Sequence, residues 1–144
     1  MFENQIGTEH RFTIHTEIAG GIWIEMDPAH LRQILLSLLL NAVEALGENG
    51  RIQVRVDSVK GKYALIKISD DGKGIPKEMI QMIFDPFITT KPKGTGLGLS
   101  IVHRLVEFYD SRLEVDSEPG RGTEFTLRLR RVNPPGFRAP TDTA

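Results

Sequence analysis

The sequence predicts a two-layer α/β sandwich, with one mixed, mainly antiparallel sheet and helices on one of its faces. A long, apolar, helix-patterned segment runs from Leu31 to Leu46. Arg51–Val59, Lys62–Ser69 and Thr123–Leu129 place apolar residues at every second position, as half-buried strands do. Short turn-like links, Lys60-Gly61-Lys62 and Ser117 to Gly122, join neighbouring strand segments. Such links favour antiparallel neighbours and leave the helices to cover one face.

In chain order, residues 1–10 are weakly patterned and are expected to be a lead-in. Arg11 to Ile18 alternates and reads as a strand, Gly20-Gly21 as a turn, and Ile22 to Met26 as a second short strand. Asp27 suits a helix N-cap, Pro28 the first helical position, and Gly47 or Gly50 the end. At roughly 100° per residue, Leu31, Ile34, Leu35, Leu38, Leu39, Leu40, Ala42, Val43 and Leu46 cover most of this helix, which is therefore expected to be buried nearly all round. Gln33, Ser37, Asn41, Glu44 and Glu48 form a narrow polar stripe. Buried polar groups need partners, so the stripe either bonds a neighbouring loop or faces a polar ligand. Ile52, Val54 and Val56, then Ala64, Ile66 and Ile68, are expected to point inward. Glu78 to Phe84 suits a short helix and Asp85 to Gly94 a loop. Leu97 to Phe108 reads as a helix with Leu97, Ile101, Leu105 and Phe108 on one face, and Leu113 to Val115 as a strand. Residues 132–144, with Pro134, Pro135 and Pro140, read as a disordered tail.

At 144 residues the chain suits one domain with a real core. A net charge of -1 gives no general attraction to nucleic acid or an anionic membrane. The absence of cysteine excludes disulfides and thiolate metal sites and agrees with a cytoplasmic setting. The longest apolar run, Ile34 to Leu40, is too short to span a bilayer, and Met1 to Gln5 does not read as a signal peptide.

Chemistry concentrates in a few stretches. Asp70-Asp71-Gly72-Lys73-Gly74-Ile75 follows a strand. It is either an acidic glycine turn or a site where a carboxylate accepts from an amino group while glycines let backbone approach a flat ring. Lys91-Pro92-Lys93-Gly94-Thr95-Gly96-Leu97-Gly98-Leu99-Ser100 is a glycine-rich loop feeding a helix. It is either a hinge or a phosphate cradle, since free N–H groups at a helix start favour anions. Its spacing is neither that of a Walker A loop nor that of a Rossmann turn. Gly122-Thr123-x-Phe125 opens the last strand.

Together these stretches resemble the ATP-binding catalytic domain of sensor histidine kinases, in the ATPase superfamily shared with DNA gyrase and the large heat-shock chaperones. The resemblance spans about residues 11–131, and the boxes stand in order. Leu38-Leu39-Leu40-Asn41-Ala42 resembles the N box, and Asp70-x-Gly72-x-Gly74-Ile75 the first glycine box. Ile83-Phe84-Asp85-Pro86-Phe87 with Thr89-Thr90-Lys91 resembles the F box, Gly94 to Ser100 the second glycine box, and Gly122-Thr123-x-Phe125 the third. The short loop between Phe87 and Gly94 is similar to the nitrogen-regulation type.

The resemblance implies a role for each matching residue. Asn41 would bind Mg2+ bridging the phosphates of ATP. Asp70 would take the adenine amino group, with Gly72, Gly74, Ile75 and Thr123 lining that pocket and Ala45 beside it. Thr90 and Lys91 would sit at the phosphates, and Gly94, Thr95, Gly96, Leu97, Gly98 and Leu99 would offer backbone to them. Asp85 to Gly94 would form an ATP lid, anchored by Phe84 and Phe87.

The chain also departs from the pattern. Ser37 stands where many relatives carry a second asparagine and ATP-hydrolysing members often a glutamate base, which argues against a dedicated water-activating ATPase. Ala45 replaces an aromatic common in kinases, and Tyr109-Asp110-Ser111 replaces a common His-Gly-Gly helix end. None of the 4 histidines, His10, His15, His30 and His103, is followed by an acidic residue as the family's phosphoacceptor is. The chain is therefore expected to lack a phosphoacceptor, to resemble an excised catalytic domain, and to be a monomer in isolation. The implied function is transfer of the γ-phosphoryl group of Mg-ATP to a histidine on a dimerisation domain of the parent kinase, with a response regulator downstream. The parent could itself be membrane-anchored. The alternatives are a stand-alone serine kinase acting as an anti-sigma factor, which shares the fold, and a non-catalytic nucleotide-sensing module.

Overall fold

The computed structural model describes residues 11–85 and 98–138. Eight elements follow in order: β1 (Arg11–Ile18), α1 (Pro28–Leu46), β2 (Asn49–Val59), β3 (Tyr63–Asp70), α2 (Lys77–Ile80), α3 (Gly98–Phe108), β4 (Arg112–Glu118) and β5 (Gly122–Arg130). They build a 5-stranded sheet in the order β1-β2-β3-β5-β4. Only the edge pair β1–β2 is parallel, because α1 carries the chain back across the sheet between them. The expected mixed, mainly antiparallel sheet is thus observed.

Alternation fixes which face is covered. Ile52, Val54, Val56, Ala64, Ile66, Ile68, Leu113, Val115, Phe125, Leu127 and Leu129 meet in register and pack into the core with α1 and α3. The other face is polar. There Ser69 Oγ donates to Glu124 Oε2 at 2.8 Å and the Arg128 guanidinium lies 4.7 Å from the Tyr63 ring centre. The β2–β3 hairpin turns through Lys60 and Gly61, with φ of 53° and 64°, a pair of left-handed residues that suits the twist of the strands.

In α1, Asp27 caps the start by accepting the Ala29 N–H at 2.8 Å, with Pro28 next, and Gly47 ends it at φ 68°. The helix is less enclosed than the sequence suggests. Ile34, Leu38, Ala42 and Leu46 are buried, but Leu36 and Leu40 are half exposed, because the sheet and α3 leave one side open. By length and composition α1 could cross a bilayer, yet it lies on the sheet as the core helix. The second strand expected at Ile22 to Met26 is reduced to one bridge, Ile24 to Arg131. The helix expected over Glu78 to Phe84 is confined to Lys77–Ile80 and continues as turns. In α3 the expected face is met at Leu105 but not at Ile101 or Phe108. Leu99, Val102, Leu105 and Val106 meet the core, whereas Ile101 and Phe108 are exposed, Phe108 to 75%.

The α3 end departs from glycine chemistry. Asp110 takes the left-handed conformation at φ 51°, and Ser111 N–H donates to Val106 O at 2.9 Å. Tyr109 Oη accepts the Asp27 N–H at 3.1 Å and bonds His30 Nδ1 at 2.6 Å, which ties this end to the start of α1. Left-handed backbone costs a non-glycine residue about 1 kcal/mol. Asp110→Gly is therefore expected to stabilise the domain by about 0.5–1 kcal/mol in urea denaturation. A destabilised variant would show that the Asp110 side chain contributes more than the strain costs.

Beyond β5, Val132 N–H donates to Trp23 O at 2.8 Å and Phe137 N–H to Pro134 O at 3.0 Å. The lead-in 1–10, the stretch 86–97 and residues 139–144 of the expected tail lie outside the described residues.

Candidate functional site

The site forms at one end of the sheet, where the inner face stops being apolar. In register across β3, β5 and β4, Asp70 pairs with Thr123 and Thr123 with Ser117. The next inward row back is Ile68, Phe125 and Val115, which belongs to the core. A polar row therefore replaces an apolar one where the sheet runs out beneath the last turn of α1.

Asp70 is half-buried. Its Oδ1 accepts the Gly72 N–H at 2.9 Å. Burial pushes its carboxyl above the usual 3.8, opposed by backbone hydrogen bonds from Gly72 and Thr123 and reinforced by the neighbouring Asp71 charge. Asp71 has a structural task, its Oδ1 accepting the Arg51 N–H at 2.7 Å. A shifted carboxyl at the rim of a sheet is the kind of group that functional sites use.

The first glycine stretch joins three elements. Lys73 N–H donates to Ala45 O on α1 at 3.1 Å, and Lys73 O accepts the Gly120 N–H from the β4–β5 turn at 2.8 Å. At Gly72 a Cβ would collide with that same Ala45 carbonyl, so the absence of a side chain lets the loop sit on the end of α1. Gly74 is buried against the Glu118 carbonyl. Gly122 is the tightest point, since at φ 116° a Cβ would overlap the Asp70 carbonyl oxygen. The nearest atom crowding each of these glycines belongs to protein backbone.

Asn41 is half-buried on α1, one turn before Ala45, or about 6 Å along the helix. The Gly72 contact with Ala45 thus brings the Asn41 helix beside the Asp70 loop. Ile75 is half-buried and Thr123 is 6% exposed. Gly98 opens α3 and Leu99 packs on the core. Phe84 packs on the core and stacks on the His103 ring of α3, centroids 5.4 Å apart. The expected site residues Thr90, Lys91, Gly94, Thr95, Gly96 and Leu97, together with Phe87, lie outside the described residues.

Ser117 joins the site without belonging to any motif in the sequence. Its Oγ accepts the Ile75 N–H at 2.8 Å, donates to Gly122 O at 3.0 Å and meets Thr123 Oγ1 at 2.8 Å. Its place opposite Thr123 depends on strand register, so the sequence signal was only a hydroxyl residue in the right strand.

The family model for histidine kinase-, DNA gyrase B- and HSP90-like ATPases matches residues 26–133. The chain belongs to that family. The match takes in the helix of Asn41, the loop after Asp70 and the strand of Thr123, the elements that converge here. This ATPase-family chain is similar to the sensor histidine kinase ZraS of Escherichia coli strain K12, 45% identical over 106 residues, which are 74% of this chain and 23% of that protein. The chain thus spans about a quarter of the length of that curated relative. Its fold is similar to full-length ShkA solved in complex with AMPPNP, with a TM-score of 0.77 and 30% identity over 85% of this chain and 26% of that one. It is also similar to the nucleotide-free catalytic domain of histidine kinase ThkA, with a TM-score of 0.74 and 30% identity over 83% of this chain and 80% of that one.

Proposed function

We propose that this chain is the ATP-binding catalytic domain of a two-component sensor histidine kinase. It would bind Mg-ATP and pass the γ-phosphoryl group to a histidine on a separate dimerisation domain. The observation that carries this reading is the polar row Asp70–Thr123 at the sheet end, closed by the contact of Gly72 with the Asn41 helix. The names of ZraS and ThkA support the kinase class, and the AMPPNP complex of ShkA supports a nucleotide in this fold.

In this reading the Asp70 carboxylate accepts from the adenine amino group, while Gly72, Gly74, Ile75, Thr123 and Ala45 enclose the ring. Thr90, Lys91 and the backbone of Gly94, Thr95, Gly96, Leu97, Gly98 and Leu99 surround the phosphates. Among the described residues no group of three or more His, Asp or Glu side chains is placed to hold a metal. One amide oxygen from Asn41 nevertheless fits Mg2+, which keeps several waters and takes other ligands from phosphate. Bound there, the ion would neutralise phosphate charge.

Phosphoryl transfer asks the protein for positioning and charge neutralisation more than covalent help. An imidazole nitrogen of the partner domain attacks the γ-phosphorus in line. The bond from that phosphorus to the bridging oxygen breaks, ADP leaves with the electron pair, and the proton on the other ring nitrogen passes to solvent. No general base is assigned in this chain, and Ser37 supplies none for water. The domain would work on the cytoplasmic side as a monomeric unit of a larger protein, with a response regulator downstream.

Incubation with the dimerisation domain of its parent protein, radiolabelled ATP and Mg2+ is expected to leave acid-labile phosphate on that partner. Acid-stable phosphoserine on an antagonist protein, with no label on histidine, would overturn the assignment in favour of a serine kinase.

A further inference from the structure

Ser117 makes three contacts with a single hydrogen to give, and this determines how the base pocket is polarised. The Ile75 N–H, at 2.8 Å, is always a donor, so Ser117 Oγ accepts there. The Gly122 carbonyl, at 3.0 Å, is always an acceptor, so Ser117 spends its one hydrogen on it. A hydroxyl has one hydrogen and two lone pairs. With all three bonds made together, the remaining contact, to Thr123 Oγ1 at 2.8 Å, uses the last lone pair of Ser117, and Thr123 is the donor. With its hydrogen committed, the Thr123 hydroxyl has only lone pairs left to offer.

We propose that Ser117 is a positioning residue for base specificity, which holds Thr123 Oγ1 as an acceptor and so selects purines that carry a donor at position 6. The inference rests on the nucleotide reading of this site and adds to it a cause of discrimination in a residue outside the expected pocket. Asp70, when ionised, is also acceptor-only, and Asp70 and Thr123 are register partners on adjacent strands. Two neighbouring acceptors favour an exocyclic amino group and oppose a keto oxygen. A pocket built to hydrogen-bond one group discriminates strongly, because the wrong group leaves buried partners unpaired.

Removing the Ser117 hydroxyl frees the Thr123 hydrogen, which can then be turned toward a keto oxygen. The test compares affinities for ATP and inosine triphosphate, in which a keto oxygen replaces the 6-amino group and N1 gains a hydrogen, by competition against a fluorescent nucleotide. In Ser117→Ala the preference for ATP is expected to fall about fivefold to tenfold, the scale of one buried hydrogen bond. A merely structural role would weaken both nucleotides alike and leave their ratio unchanged, and that result in a folded variant overturns the proposal. Thr123→Val, nearly isosteric, provides the second arm should the orphaned Ile75 N–H unfold the first. It removes the acceptor and is expected to lose more affinity for ATP than for inosine triphosphate, and an unchanged ratio there also overturns the proposal. Wild-type protein that binds neither nucleotide would overturn the underlying reading and this inference with it. Wild-type protein that binds ATP while the variants keep its preference would overturn this inference alone.

Discussion

Asp70→Asn is expected to abolish nucleotide binding and yet raise the melting temperature of the ligand-free domain. The two effects have one cause. Burial holds the folded-state pKa of Asp70 above the ordinary 3.8, so the folded chain binds this proton more tightly than the unfolded chain. Stability attached to Asp70 is therefore present below the unfolded value and lost as pH rises through the folded one. At neutral pH the ionised carboxylate is a net cost, offset in part by the N–H groups of Gly72 and Thr123. An amide keeps an acceptor for those N–H groups and removes the charge. For a base the exchange is unfavourable, because the side chain then turns an N–H2 toward an amino group. The expected loss of ATP affinity is about a hundredfold or more, on the order of 3 kcal/mol. The stability advantage of the variant should shrink on acidification through the folded pKa, and wild-type ATP affinity should fall over the same range. Thermal melts of both proteins across pH, with nucleotide titrations, check this. A ligand-free variant less stable than wild type, or one with unaltered affinity, would contradict it.

Gly122→Ala is expected to cost about 3 kcal/mol or more in urea denaturation, well above an ordinary surface change. At φ 116° a side chain is strained, and the added carbon would overlap the Asp70 carbonyl oxygen. Relief requires the ends of β3 and β5 to part, which also displaces Asp70 and Thr123. ATP binding should therefore weaken even where the variant stays folded. Gly120→Ala separates strain from overlap. Gly120 has φ 80° but open space around its missing side chain, so its cost should stay near 1 kcal/mol. Equal costs at the two positions would show that the contact with Asp70 does not matter.

Much of the fold could be read from periodicity, because each half-buried element carries its own pattern. Ile52 to Val56 and Ala64 to Ile68 point inward as their alternation requires, and Asp27, Pro28 and Gly47 bound α1 as their capping chemistry requires. The misreadings occurred where a pattern was present but tertiary context chose otherwise. Ile22 to Met26 alternates but, among the described residues, meets the chain just past β5 in a single bridge, Ile24 to Arg131, in place of a strand. In α3 apolar residues occupy two faces, and nothing local says that Leu99, Val102 and Val106 should win over Ile101 and Phe108. In α1, Leu36 and Leu40 follow the pattern of buried leucines but lie past the edge of what the sheet and α3 can cover. In the candidate site, Asp70, Gly72, Gly74 and Thr123 stand out in the sequence by their spacing and family likeness. The physical need for Gly72 and Gly122 was hidden, since the colliding carbonyls belong to Ala45 and Asp70, set against them only by folding. Ser117 was invisible for the same reason, because it acts through a partner on the neighbouring strand.

In the proposed reading, the ends of β3 and β5 and the Asn41 helix together make a seat for a magnesium nucleotide. Titration calorimetry of the folded chain with ATP, with and without Mg2+, tests it most directly. Saturable heat at one site is expected, with affinity that depends on the metal in wild type and loses that dependence in Asn41→Ala. No heat from well-folded protein, or heat equally strong in Asp70→Asn, would contradict it.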